Sequence, residues 1–239
     1  MPYYLGIDTS NYTTSLALCD AQGNIVSQQK KLLQVKPGSH GLRQSEAVFQ
    51  HLQNLPALSQ ALFADVPQAC NYLSAIGYSQ TPRPISGSYM PCFVPGETFS
   101  HFLCAYANLP CYPFSHQEGH IMAALYSAHA MHLLNRTFLA FHISGGTTDL
   151  LAVQETESGM QITPLATSQD LHAGQLIDRV GVALGLPFPA GPSLEKLAMT
   201  GAAQSLLPVS MEDGDCHFSG AEARAMQWIQ AGDMPAPQI

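Results

Sequence analysis

Positive charge is what this 239-residue chain has least of: nine Lys and Arg stand against seventeen Asp and Glu, a formal net charge of −8. Such a chain is a poor general binder of phosphate backbones, so a nucleic-acid substrate would need a basic partner or a local patch for grip. Charged residues of both signs make up only 11% and hydrophobic residues 46%, which excludes a disordered chain. No run of about 18 apolar residues occurs, so no membrane span is expected. Met1-Pro2-Tyr3-Tyr4-Leu5 lacks the basic and apolar regions of a signal peptide. The six cysteines, at 19, 70, 92, 104, 111 and 216, form no Cys-x-x-Cys pair. Buried free thiols in a cytoplasmic protein are expected, without a disulfide framework.

What is present is an α/β pattern given twice. Tyr3–Ile7, Thr14–Cys19 and Asn24–Gln29 read as strands. A helix capped by Ser45 and bent at Pro56 follows, its apolar stripe being Val48, Leu52, Leu55 and Leu58. Tyr72–Ser79 reads as a strand, Gln80–Gly96 as a loop, Glu97–Ala107 as a helix and Cys111–Phe114 as a strand. The pattern then restarts with a helix over His116–Leu134, strands at Phe138–Ile143, Asp149–Val153 and Gln161–Leu165, and helices at Ala173–Leu184, Ser193–Met199 and Ala221–Gln230. Gly6 to Leu18 and Ile143 to Leu151 share one design: an apolar strand, a turn of small hydroxyl or Gly residues, and a second apolar strand. The repetition predicts two related α/β lobes, 1–114 and 115–239, with a cleft between them.

Three groups of residues could carry chemistry. His116 and His120 lie four apart on one helix, about 6 Å along its axis, so one face can offer two imidazoles to a divalent ion. For a bare His-x-x-x-His among ten histidines, packing is the better explanation. The position just after a strand, where α/β proteins bind ligands, favours the metal, and a carboxylate, substrate or water must complete the shell. Ser144-Gly145-Gly146-Thr147 is a candidate phosphate cradle, because a Gly pair bares backbone N–H donors. Asp178 is a candidate acceptor for ribose hydroxyls, although taken alone it is better explained as a surface charge or an ion pair. Gly191, followed by Pro192 and Glu195, could let the backbone pass close to a base.

Taken in order, Leu5-Gly6-Ile7-Asp8-Thr9-Ser10, His116-Gln117-Glu118-Gly119-His120-Ile121, Ile143-Ser144-Gly145-Gly146, Gly174 through Asp178 to Pro187, Ala190-Gly191-Pro192 and Phe218-Ser219-Gly220 resemble the tRNA threonylcarbamoyladenosine transferase (TsaD) family, formerly labelled glycoprotease. The resemblance spans nearly the whole chain. It implies the actin-like ATPase fold of two lobes and a threonylcarbamoyl-adenylate, ATP or AMP ligand. It also implies an iron or zinc ion on His116 and His120, joined by a later Asp. His142, Ile143, Ser144, Gly145 and Gly146 would line the phosphate and acyl end; Asp178, Gly191 and Glu195 would meet the adenosine. TsaB-like and TsaE-like partners, tRNA reached through them, and a dimer are the associations it implies.

The chain departs from the family pattern in several places. Asn11-Tyr12-Thr13 stands where Cys-Asp-Asp is usual, Thr81-Pro82-Arg83-Pro84 replaces a Gly-Pro-Gly loop, Thr147 replaces a His, Gln175 a Glu, and Glu222 a Lys. Because the sequence stops at Ile239, before the family's third metal ligand, an incomplete second lobe and a weakly held metal are expected, and no transfer by this chain alone. A non-catalytic TsaB-like paralogue is the main alternative. A sugar- or acetate-kinase-like phosphotransferase lacks a clear base, and a peptidase lacks a nucleophile with its orienting His and acid.

Overall fold

The computed structural model describes residues 1–35, 42–157, 159–202, 205–208, 210–232 and 234–239. They form two compact units, Met1–Ala130 and Met131–Ile239.

In the first unit, strands β1 (Tyr3–Asp8), β2 (Thr13–Asp20), β3 (Ile25–Leu32), β4 (Leu73–Thr81) and β5 (Cys111–Ser115) make one sheet in the order β3-β2-β1-β4-β5. β1 pairs antiparallel with β2 and parallel with β4, and β4 is parallel to β5. The C-terminal ends of β1, β4 and β5 therefore open onto one edge. Helices α1 (Gln44–Asp65) and α3 (Val94–Ala107) cover one face, with the single turn α2 (Ala69–Tyr72) between them in sequence. Leu5, Ile7, Leu16, Leu18 and Ile76 from the strands meet Leu55, Leu58 and Leu62 of α1 to form the core.

Helix α1 is longer than its periodicity suggested, and its buried stripe is shifted. The N-cap is Arg43, not Ser45, and Leu52 is 52% exposed. The buried positions are Ala47, His51, Asn54, Leu55, Leu58 and Leu62. Two polar residues can take that face because Thr14 on β2 meets them: its Oγ1 lies 2.8 Å from His51 Nδ1 and accepts from Asn54 Nδ2 at 3.1 Å. Helix α4 (His116–Ser127) stops short of Leu134 because His129 turns to φ 52°, and a separate 3₁₀ turn spans Met131–Asn135. α4 packs on β4 and β5, so the unit it belongs to ends at Ala130 and not at Phe114.

The second unit repeats the opening meander: β6 (Phe138–Ile143), β7 (Thr148–Thr156) and β8 (Gly159–Thr167) pair antiparallel in sequence order. Helices α5 (Ala173–Ala183), α6 (Gly191–Ala198) and α7 (Ser219–Ala231) follow. Leu151 and Val153 are buried on one face of this sheet. Leu139, Phe141 and Ile143 lie on the opposite face and remain more than half exposed. A short hairpin absent from the sequence reading, β9 (Ser210–Glu212) with β10 (Asp215–His217), turns at Asp213-Gly214, both at positive φ as a tight hairpin requires. All six cysteines are free; Cys92 and Cys104 are buried as expected, but Cys70 is exposed. Among the described residues no helix is long and apolar enough to cross a membrane.

The Thr14–His51–Asn54 network generates a stability prediction. Thr14→Val should leave two buried polar side chains without their common partner and cost about 1–3 kcal/mol in chemical denaturation. Burial depresses the pKa of His51 below 6.5, against weaker opposing effects of the Asn11 carbonyl and the Asp8 charge. The unfolded chain therefore takes up a proton that the folded chain resists. This contribution to stability is complete above about pH 6.5 and is lost as pH falls toward the depressed folded value. His51→Gln should flatten the stability–pH curve in that window; an unchanged slope would contradict the assignment.

Candidate functional site

α4 begins at the edge where β1, β4 and β5 end, and its start is firmly made. Ser115 is the N-cap: its Oγ accepts from Glu118 N at 3.2 Å, while Glu118 Oε2 accepts from Ser115 N at 2.6 Å. Glu118 is thus buried as a capping group. The helix then presents His116 and His120 side by side, ring centroids 4.2 Å apart at 71°. His116 is half-buried and His120 exposed.

Asp8 and Ser10, which the sequence reading did not assign to the site, meet this pair. Asp8 closes β1 and divides its carboxylate: Oδ1 accepts from Ser10 N at 2.7 Å, and Oδ2 lies 2.9 Å from His116 Nδ1. Ser10 Oγ is 3.4 Å from His116 Nε2. Burial acts to raise the Asp8 pKa, but the bond and charge of His116 and the bonds from Ser10 outweigh it, so the carboxyl is held below its usual value. No periodicity could have revealed this contact, because it joins residues 108 apart. The turn that follows bends through Asn11 at φ 44°, a conformation Asn tolerates better than most residues.

The donor chemistry suits a divalent ion as far as it reaches: a neutral imidazole whose one N–H rests on a carboxylate, leaving the other nitrogen for the metal, is the usual metal-binding arrangement. Among the described residues no group of three or more His, Cys, Asp or Glu is gathered to hold a metal.

In the second unit the turn between β6 and β7 is closed by Ser144 N donating to Thr147 O at 2.7 Å. Gly146 N donates to Ser144 Oγ at 3.1 Å, so one of the two expected phosphate donors is already engaged within the turn. Gly145 and Gly146 are exposed, with open space where a Cβ would stand. α5 is fastened to this turn: Gly174 N donates to Ser144 O at 3.1 Å and Ala173 N to Thr148 Oγ1 at 2.9 Å. His142 lies on β6, opposite Asp149. Asp178 Oδ1 accepts from Ala190 N at 2.7 Å, which ties α5 to the residue before Gly191, the start of α6. Glu195 is exposed on α6. Beside Asp178 lies an open hollow of about 380 Å³ walled by Val182, Ala183, Phe188 and Met226, with Arg179 and Glu222.

The departures have structural roles. Gln175 Oε1 accepts from His172 N at 3.3 Å at the start of α5, and Glu222 pairs with Arg179 Nη1 at 3.0 and 3.2 Å. The Phe218-Ser219-Gly220 segment is held by Asp170, which accepts from Phe218 N at 2.8 Å and Ser219 N at 3.0 Å. Those bonds, the Ser219 side chain foremost, keep the Asp170 carboxyl far below its ordinary value.

Two α/β units, each opening on a three-stranded antiparallel meander, define a member of the actin-like ATPase fold. Component A of (R)-2-hydroxyglutaryl-CoA dehydratase from Acidaminococcus fermentans shares this fold, with a TM-score of 0.50 at 12% identity over 99% of this chain and 71% of that one. YeaZ from Pseudomonas aeruginosa aligns over 68% of this chain and 64% of its own at a TM-score of 0.44 and 16% identity. The family described as TsaD, tRNA N6-adenosine threonylcarbamoyltransferase, matches residues 21–236, and the chain belongs to it. Curated relatives of that description include a protein of Chromobacterium violaceum, 29% identical over 95% of this chain, and one of Prochlorococcus marinus, 26% identical over 98%. The chain spans 64% and 68% of the length of these two relatives.

The contact between α5 and the Ser144 turn can be tested directly. A Cβ on Gly174 would stand 2.5 Å from Gly145 N and from the Ser144 carbonyl carbon, against backbone that cannot step aside cheaply. Gly174→Ala should therefore cost about 1–3 kcal/mol by overpacking, read as a drop in Tm. Gly145→Ala, facing open space, should leave Tm nearly unchanged.

Proposed function

We propose that this protein works in tRNA threonylcarbamoyladenosine formation, binding a threonylcarbamoyl-adenylate whose threonylcarbamoyl group passes to N6 of a tRNA adenosine with release of AMP. The observation that carries the reading is the His116–His120 pair, 4.2 Å apart at the head of α4, in a chain matched to the family over residues 21–236. In this reading His116 and His120 would hold an iron or zinc ion, and Ser144–Gly146 with Asp178 would bind the adenylate. Bound there, such an ion would supply Lewis-acid polarisation of the carbamoyl carbonyl.

The protein's own residues bind and orient. The exposed Ser144–Gly146 turn, next to the amino end of α5, suits the phosphate and acyl end, flanked by His142 and Ile143. Asp178 Oδ2 would accept from the ribose, its Oδ1 being committed to Ala190 N. The apolar wall beside it, with Gly191 and Glu195 on α6, suits the base. The net charge of −8 gives no general attraction for tRNA, so TsaB-like and TsaE-like partners in the cytoplasm would supply it. Phe102 and Tyr106, 68% and 85% exposed on α3, are surface that such a partner, or a second copy, could cover.

Calorimetry with threonylcarbamoyl-adenylate or AMP should register binding, and Asp178→Ala should weaken it by about 1.5–3 kcal/mol. Undetectable binding of either ligand would overturn the reading. Incubated alone with tRNA and the adenylate, the chain is expected to yield no modified adenosine by nucleoside analysis. Robust product without partners would overturn the partner requirement.

A further inference from the structure

We infer that Asp8 is the positioning residue for His116, holding it as the Nδ1–H tautomer so that Nε2 keeps the lone pair a metal needs. The inference deepens the proposed function and rests on it for the metal alone.

The geometry leaves little choice. An ionised carboxylate accepts hydrogen bonds and has none to give. Asp8 Oδ2 stands 2.9 Å from His116 Nδ1, so the proton between them belongs to the imidazole. Asp8 is not free to swing away, because its other oxygen is held by Ser10 N at 2.7 Å at the mouth of the β1–β2 turn. A neutral imidazole protonated at Nδ1 carries its lone pair on Nε2. Ser10 Oγ, 3.4 Å away, is the group that faces this nitrogen, and its hydroxyl can donate to the lone pair weakly. A contact so long is readily exchanged for a metal bond, whereas the Asp8 bond is short and is kept. The ring is steadied from a third side by Phe93, edge-on at 6.3 Å between centroids. Carboxylates behind metal-binding histidines fix tautomer and ring orientation, and their loss typically lowers metal affinity by about 10–100-fold.

The test uses the full chain with ¹⁵N-labelled histidine and no metal. Long-range ¹H–¹⁵N spectra at neutral pH, with His116 assigned by its loss in His116→Gln, should show Nδ1 protonated and Nε2 bare. Asp8→Asn should shift that residue toward the other tautomer and weaken zinc binding, measured with the metal alone, by about 10–100-fold. His120→Ala should weaken zinc binding but leave the His116 tautomer unchanged. Asp8→Glu, which keeps an acceptor-only carboxylate where Asn can also donate, should retain part of the tautomer preference. A His116 with both nitrogens protonated, or with Nε2–H in the wild type, overturns the inference even if Asp8→Asn does not fold. Zinc binding that Asp8→Asn leaves intact also overturns it, while the metal reading survives. A correct tautomer in a chain that binds no zinc confirms the role of Asp8 and removes the metal.

Discussion

The placement of β1 is the constraint on which the first unit depends. It is paired on both sides, antiparallel to β2 and parallel to β4, and sends Leu5 and Ile7 into the core at 1% and 3% exposure. A one-residue slip would turn those side chains out and move Asp8 off the sheet edge. The strand is held further at its end, where Thr9 Oγ1 accepts from Gly96 N at 3.1 Å on α3. Gly96 is required there, since a Cβ would stand 2.8 Å from that same oxygen. Packing thus delivers Asp8 and Ser10 to the start of α4, and the capping box at Ser115 and Glu118 delivers His116 to them.

The second unit solves a related problem differently. Its turn at Ser144 is short of side chains and is shaped by what lies beneath it: Gly174, with no room for a Cβ, and Thr148, which accepts the Ala173 N–H. Asp178 then fixes the next helix through Ala190, and Gly181 allows Ala190 to come close, its own virtual Cβ lying 2.4 Å from the Ala190 Cβ. Residues that the family resemblance assigns to ligand binding are therefore also the ones that join successive helices. A rigid support of this kind keeps donors and acceptors in place before a ligand arrives.

Strands and the repeated meander were legible in the sequence, because alternation of apolar residues with small-residue turns is a local signal. Phe138–Ile143 was read to the residue and the other strands to within a few, except the β9–β10 hairpin, which was not read at all. The His-x-x-x-His spacing and the Ser-Gly-Gly turn were likewise visible, since each lies within one element. The face of α1 was partly misread: Leu52 is exposed, while the polar His51 and Asn54 are buried because the Thr14 hydroxyl from a neighbouring strand meets them. The end of α4 was missed because no Gly or Pro marks it, the break being taken by His129.

By itself, then, the sequence determined the fold class, the family and the order of the motifs, all of which rest on residues close together in the chain. The tertiary structure alone decided that Asp8 stands behind His116, that Asp170 secures the Phe-Ser-Gly segment, and that Gly146 has already spent its N–H on Ser144. The first two join residues 108 and 49 apart. Such contacts have no period and no spacing; they exist because strand pairing and helix packing bring distant ends to one edge, and they can be read only there.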